Sequence, residues 1–362
     1  MDPQNKKDKK GIFNILIYFL REGFEKCVFE PTLFVRRNDD GKLLIVSLYV
    51  DDLIFTGNDE KLFTEFKESM KREFDMTDLG KMKYFLSLEV CQRSDGMFIS
   101  QKKFASEILQ KFGMEMSKAV CSPIVPGTKP TSEGHDYVDK THYKQIIGSL
   151  MYLIVTRPDI MHVVSLISRY MENPTEEHLQ AAKRVLRYIR GTTDFGVFYS
   201  KGGGDELIAY TDSDYAGDLN DRKSTSGYVF LFGSGAVAWS SKKQPVVSLS
   251  TIEAEFSAAA SCACQAVWLK RVLQSHGPSQ LDASTIYCDN SYSIKLSKNP
   301  VLHGRSKHIN VRFHFLRELA NNGTIKMVYC ATKDQLADIM TKPLRHEIFL
   351  KLREALNVCS NT

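Results

Sequence analysis

The chain has no cysteine framework: its eight cysteines are scattered, without a C-x-x-C pair. That absence excludes a disulfide-stapled secreted scaffold and the usual zinc-ribbon spacing, and it suits a reducing compartment. No apolar run is long enough to cross a bilayer. The opening KKDKK and GIFNILIYFL imitate a basic region and a short apolar core, but REGFEK follows with no small-residue cleavage site. The expectation is a buried helix in a cytoplasmic or nuclear protein, not secreted and with no membrane partner. Charge asymmetry is small, a formal +5 from 48 Lys+Arg against 43 Asp+Glu, and no internal repeat is present. Polyanion binding has to come from local cationic segments such as SKKQ, AAKRVLRYIRG and GRSKHINVRFHFLRE, whose ordinary meaning is a solvated helix face.

What is present is a globular composition, 43% hydrophobic and 25% charged over 362 residues, enough for two or three domains. LFVRR and KLLIVSLYV flank Asn38-Asp39-Asp40-Gly41, a hairpin signal, and the second strand runs through Asp51-Asp52 into LIFTG. Leu62, Phe63, Phe66 and Met70 at helical spacing predict a helix from Glu60 to Phe74. Strands over MKYFLSLEV and GMFIS follow, then a helix from Lys103 to Phe112. The proline-rich stretch from Cys121 to Asp136 reads as a hinge. Helices are expected over Tyr143–Thr156, Asp159–Met171 and Thr175–Ile189, then a flexible break at Lys201-Gly202-Gly203-Gly204. From Glu206 the pattern becomes strand, hairpin, long helix from Thr251 to Gln274, strand, helices over Ser291–Lys298 and Lys307–Asn321, strand, and a C-terminal helix beginning near Asp334.

Four acids stand out in that last part: Asp212, Glu255, Asp289 and Asp338. Each ends a strand-like run or opens a helix-like one, so a βββ-α-β-α-β-α order brings them to one end of a sheet. Four converging carboxylates repel one another unless divalent cations sit between them, and oxygen donors suit Mg²⁺. Two ions about 4 Å apart fit phosphodiester hydrolysis. The bland meanings are a strand cap for Asp212 and a helix N-cap for Asp289. Ser250 and Glu253 match the S-x-x-E capping box, which gives Glu253 a structural role and leaves Glu255 for metal. Asp334 is expected as the N-cap of the last helix, one turn before Asp338. A zinc site from Cys262, Cys264, His303 and His308 lacks the usual pairs, and Cys288 reads as a buried apolar residue.

In order and spacing, DSDYAGD, RKSTSGY, WSSKKQPVVSLSTIEAEF, IYCDNSYSIKLSKNP, GRSKHINVRFHFLRE and DQLADIMTKPL resemble the ribonuclease H domain of copia-type LTR retrotransposon Pol polyproteins. Upstream, YVDDLIFTGND, DLGKMKYFLSLEV, YKQIIGSLMYLIVTRPDI and HLQAAKRVLRYIRGT resemble the end of that family's reverse transcriptase. The resemblance implies a mixed α/β chain. Its expected parts are a truncated palm over 1–120, a helical thumb or connection over 121–200, a ribonuclease H-like domain with a five-stranded mixed sheet over 205–342, and a C-terminal helix and tail over 343–362.

The resemblance makes Asp212, Glu255, Asp289 and Asp338 both the catalytic set and the ligands of two Mg²⁺ ions, with Mn²⁺ able to substitute. The partner is an RNA–DNA hybrid, and upstream Pol segments are further expected partners. Lys242, Lys243, His303, Arg305, Lys307, His308 and Arg312 are the expected backbone contacts. The loop ATKDQ before the last helix lacks the mobile histidine of many ribonuclease H enzymes, and Ser87 stands where the family's FLG motif has glycine. Tyr49-Val50-Asp51-Asp52 resembles the YxDD motif, a vestigial polymerase site in which Asp51 is the metal ligand. The activity implied is cleavage of the RNA strand. Two other readings stay open, a non-catalytic remnant that binds nucleic acid and a polymerase fragment that needs a partner.

A palm needs a further aspartate, and Asp2, Asp8, Asp39 and Asp40 fit none of its positions. The chain alone is therefore expected not to extend a DNA primer on an RNA template. Extension that disappears in Asp51→Asn would show otherwise.

Overall fold

The computed structural model describes residues 14–134, 136–204, 206–276, 282–298 and 307–361, with side chains throughout except at 276, 298 and 307–313. Contacts divide the chain into two compact units, 1–82 with 267–281, and 83–266 with 282–362.

The smaller unit opens with helix α1 (residues 14–21). An antiparallel sheet follows in the order β1-β2-β3-β4: β1 (Glu25–Lys26), β2 (Leu33–Arg37), β3 (Leu43–Tyr49) and β4 (Asp52–Gly57). The β2–β3 turn closes where Gly41 takes φ 75°, a left-handed angle that costs a glycine little, and Asn38 Oδ1 accepts from Lys42 N at 2.9 Å. Helix α2 (Glu60–Glu73) is N-capped by Asp59, which accepts from Leu62 N. Its buried face, Leu62, Phe66 and Met70, covers the sheet residues Phe34, Leu44 and Val46. Phe19, Phe24, Phe34 and Phe66 pack ring to ring, with Phe19 and Phe34 centroids 4.9 Å apart.

In the larger unit, β5 (Tyr84–Phe85), β6 (Leu88–Gln92) and β7 (Gly96–Ser100) precede helices α3 (Lys102–Lys111), α4 (Lys140–Leu153), α5 (Met161–Ser168) and α6 (Glu176–Arg190). Strand β8 (Phe195–Ser200) leads to β9 (Leu207–Ser213), β10 (Thr225–Phe232) and β11 (Gly235–Lys243). Helix α7 (Thr251–His276), β12 (Ser284–Cys288), α8 (Ser291–Lys298), α9 (Lys307–Asn321), β13 (Ile325–Tyr329), α10 (His346–Ala355) and β14 (Val358–Ser360) complete it, with the end of α7 belonging to the smaller unit. The chain is a mixed α/β protein, and the expected five-stranded mixed sheet is present in the order β11-β10-β9-β12-β13. β9 runs antiparallel to β10 and parallel to β12, which is parallel to β13. The carboxyl ends of β9 and β12 therefore lie side by side.

A second sheet, β14-β8-β7-β6-β5, cuts across the expected segmentation. β8 lies beyond the last expected helix, which ends at Ile189, within the segment grouped as helical thumb or connection, and it pairs with β7 on one side and the C-terminal β14 on the other. The helical block and the mixed sheet also share one core, in which Ile147, Leu150, Val164 and Val185 meet Val229, Ala236, Ile339 and Met340. The C-terminal helix starts at His346 rather than near Asp334: residues Leu336–Met340 form a short 3-10 turn, and Pro343 blocks a helix running through it. Asp334 accordingly caps no helix there. Among the described residues no helix is long and apolar enough to cross a membrane.

A buried ion pair holds the helical block together. Arg157 is fully buried, donates to Asp159 at 2.9 and 2.7 Å, and reaches Thr192 O and Oγ1 at 2.8 Å each. Tyr188 donates to Asp159 Oδ2 at 2.7 Å. Removing one partner strands the other charge in the core, so Arg157→Leu should cost about 3–5 kcal/mol of stability. A denaturant midpoint within error of the parent's would mean the pair contributes nothing.

Candidate active site

The site lies in the larger unit, at the carboxyl ends of β9 and β12. Asp212 is the penultimate residue of β9 and is fully buried; Asp289 directly follows β12. Glu255, 4% exposed, is in the second turn of α7. Asp338, 8% exposed, sits within the Leu336–Met340 turn, which packs on β9 and β10. Local chemistry assigns each acid its place. Ser250 Oγ accepts from Glu253 N at 3.2 Å, and Glu253 Oε2 accepts from Leu249 N at 2.8 Å, so Glu253 is spent on the helix start, one residue away from the reciprocal bond of a strict capping box. At the start of α8, Asn290 Oδ1 accepts from Ser293 N at 3.0 Å. Asn290 is the N-cap, and Asp289 instead accepts from Thr332 Oγ1 at 2.9 Å.

Two buried glutamines that sequence reading missed hold these pieces in register. Gln244 donates to Ala254 O at 3.0 Å and to Ser226 Oγ at 2.9 Å, tying the first turn of α7 to the sheet. Gln335 donates to Thr211 O at 3.0 Å and accepts from Ala337 N at 3.2 Å, tying the Asp338 turn to β9. The signal was weak, since a glutamine has no pattern that separates a buried clamp from a surface residue. Thr341 and Lys342 were also missed. Thr341 Oγ1 donates to Asp212 Oδ2, and Lys342 Nζ lies 2.8 Å from Asp338 Oδ1 and 3.2 Å from both Asp212 oxygens.

The electrostatics are those of crowded anions. Burial, then the charges on Asp212 and Asp289, raise the Glu255 carboxyl to about 9. Burial and the Asp212 charge raise Asp338 to about 6, although Lys342 opposes them. For Lys342 burial works against the charge, but Asp212 and Asp338 outweigh it and hold the ammonium protonated. Glu255 Oε2 is buried with no hydrogen-bond partner. Among the described residues, Glu255, Cys288 and Asp289 offer donor atoms within 4.8 Å of one another. A partnerless buried carboxylate oxygen beside further oxygen donors fits a divalent cation. Cys288 brings a soft sulfur to this edge, and burial pushes its thiol far up and keeps it protonated.

Other predicted site residues lie elsewhere or are otherwise engaged. Asp51 and Asp52 are exposed at the β3–β4 turn of the smaller unit, where Val50 adopts φ 51°, strained for a β-branched residue, and Tyr49 is half exposed. Lys242 is exposed, but Lys243 is held 2.7 Å from Asp218 Oδ2 and 2.8 Å from Asp221, and Arg169 shares that Asp218 oxygen at 3.2 Å. Lys243 therefore braces the loop between β9 and β10. His303 and Arg305 lie outside the described residues, as do the side chains of Lys307, His308 and Arg312.

The reverse transcriptase (RNA-dependent DNA polymerase) family model matches residues 12–126. The chain is 39% identical over 347 residues to the retrovirus-related Pol polyprotein from transposon TNT 1-94 of Nicotiana tabacum, covering 93% of this chain and 26% of that one. It is 35% identical to an uncharacterized mitochondrial protein of Arabidopsis thaliana, covering 66% of this chain and 98% of that protein. Among solved structures, LC11-RNase H1 in complex with RNA/DNA hybrid aligns with 38% of this chain and 94% of its own at 16% identity and a TM-score of 0.27. The chain thus spans about a quarter of the tobacco polyprotein's length. With the ordered motifs carried by both its halves, it belongs to the copia-type Pol polyproteins of LTR retrotransposons.

Proposed function

We propose that the chain hydrolyses the RNA strand of RNA–DNA hybrids at the Asp212, Glu255, Asp289 and Asp338 site. The observation that carries this reading is the partnerless, buried Glu255 Oε2 within a group of acids drawn from four separate segments. Such a group is unstable without a cation, and a structural role would not require it. The four carboxylates would hold Mg²⁺, or Mn²⁺ in its place, and two such ions supply an activated water and a stabilised leaving 3′ oxygen. Gln244 and Gln335 hold the segments that carry Glu255 and Asp338, and the Thr341 hydroxyl holds Asp212. Asp214 takes no ligand role here: its Oδ1 accepts from Thr225 N and shapes the loop after β9. Backbone contacts to the hybrid are assigned to Lys242 and, on sequence grounds, to His303, Arg305, Lys307, His308 and Arg312. Choice of a hybrid over duplex DNA would come from 2′-hydroxyl contacts on one strand. The Asp51 turn is kept as the polymerase-type metal position of the smaller unit.

With Mg²⁺ or Mn²⁺ the purified chain should cleave RNA in hybrids and leave duplex DNA intact, and Asp212→Asn should lower the rate at least about 100-fold. Equal cleavage by that variant would trace the activity to a contaminant.

The raised Glu255 value also sets a pH dependence. The native state keeps this proton above the ordinary 4.5 while the unfolded chain releases it, so in chelator stability should fall as pH rises from about 4.5 through about 9. Glu255→Gln should flatten that fall and raise the chelator-treated melting point at pH 8 by ~2–4 °C or more, the shift expected from about 1 kcal/mol. A melting point that rises with pH in the parent, or a variant no more stable than the parent, would contradict the assignment.

A further inference from the structure

The four acids are not equally provided for. Asp212 receives the Thr341 hydroxyl and the Lys342 ammonium, and Asp338 shares that ammonium at 2.8 Å. Glu255 and Asp289 lie on the other side of the group, with Cys288, and there Oε2 of the 4%-exposed Glu255 has no partner. The quartet is thus split into a half neutralised by a side chain and a half that is not. Lys342 lies four residues beyond Asp338 in the same short segment, and Pro343 after it keeps the chain from continuing as a helix. Its side chain is 36% exposed, so the four-carbon stem has a route outward to solvent.

An ammonium within hydrogen-bond distance of both Asp212 and Asp338 occupies the space that a cation bridging those two carboxylates needs, and like charges repel strongly at such range. Nothing comparable stands on the Glu255–Asp289 side among the described residues.

We propose that Lys342 is a built-in counter-ion that makes the two divalent-ion positions unequal: the first ion enters at Glu255 and Asp289, and a second bridges Asp212 and Asp338 only when Lys342 has swung out. This rests on the reading of the quartet as a divalent-ion site. Lys342 is then a positioning residue. It keeps Asp212 and Asp338 together before any ion arrives, and because it bonds those two carboxylates and acts on Glu255 only through space, it weakens the second ion far more than the first.

The test is Mn²⁺ binding to the full chain without nucleic acid, followed by the paramagnetic signal of free Mn²⁺. The parent should bind one ion tightly and a second roughly 10-fold or more weaker. Lys342→Met, which keeps the length and removes the charge, should tighten the second ion by a similar factor and leave the first nearly unchanged. Lys342→Arg, which restores the charge, should return the parent's second step. In chelator Lys342→Met should melt below the parent. If it fails to fold there, Asp338→Asn combined with Lys342→Met removes both charges and should still take the first ion with parental affinity. A second ion that Lys342→Met does not tighten, or loss of the first ion in the double variant, overturns the role of Lys342 while Glu255→Gln still abolishes tight binding. Parental Mn²⁺ binding by Glu255→Gln overturns the ion site itself, and this proposal with it.

Discussion

Like-charge repulsion in a poorly solvated space is the constraint on which the rest of this molecule's functional end depends. Four carboxylates meet where β9 and β12 end, three of them buried, and each needs a reason to stay. The structure provides several: the Thr341 hydroxyl and Lys342 ammonium at Asp212, Lys342 again at Asp338, and the Thr332 hydroxyl at Asp289. Glu255 is where provision stops short, and its carboxyl responds by holding a proton to about 9. A group assembled against its own electrostatics is the ground for the proposed divalent-ion site.

Holding such a group demands rigidity behind it. Gln244 and Gln335 are both almost completely buried, and each ties an acid-bearing segment to the sheet, Gln335 across 124 residues of chain, so neither acidic turn is free to drift away from the sheet. The next layer is the helical block, whose residues share a core with the mixed sheet and with the Leu336–Met340 turn. Ser165 donates to Ser241 O at 2.7 Å and Trp239 to Ile154 O at 3.0 Å, joining helices to strand β11. The Arg157–Asp159–Tyr188 group then stiffens the helical block from within. Segments that resemble a polymerase connection thus form part of the foundation of the acidic site.

Much of this was legible in the residues. Strand-like apolar runs placed β2, β3, β4 and the β9–β13 strands, and helical spacing placed α2, which buries one face, and α7, whose first half is buried nearly all round. β8 and β14 were not legible. FGVFYS and VCS have no turn signal between them to announce a partner, and each becomes a strand because the other and β7 are there to pair with it. The start of the last helix was misplaced for a different reason: Asp334 resembles a cap, while Pro343 together with packing of Leu336, Ile339 and Met340 on the sheet converts that stretch to a 3-10 turn.

The sequence by itself determined which acids are available and which are spent locally. Ser250 with Glu253 is a short-range helix-start pair, and it leaves Glu255 unclaimed whatever the tertiary fold. Only the tertiary structure decided the surroundings of those acids. Lys342 is four residues from Asp338 in the chain, yet its second contact is with Asp212, 130 residues away. Lys243, cationic and apparently free in sequence, is committed to Asp218 and Asp221. The reason is physical: capping and periodicity act over a few residues and can be read along the chain, whereas charge pairing and buried hydrogen bonds act through space between segments that only the folded sheet brings together.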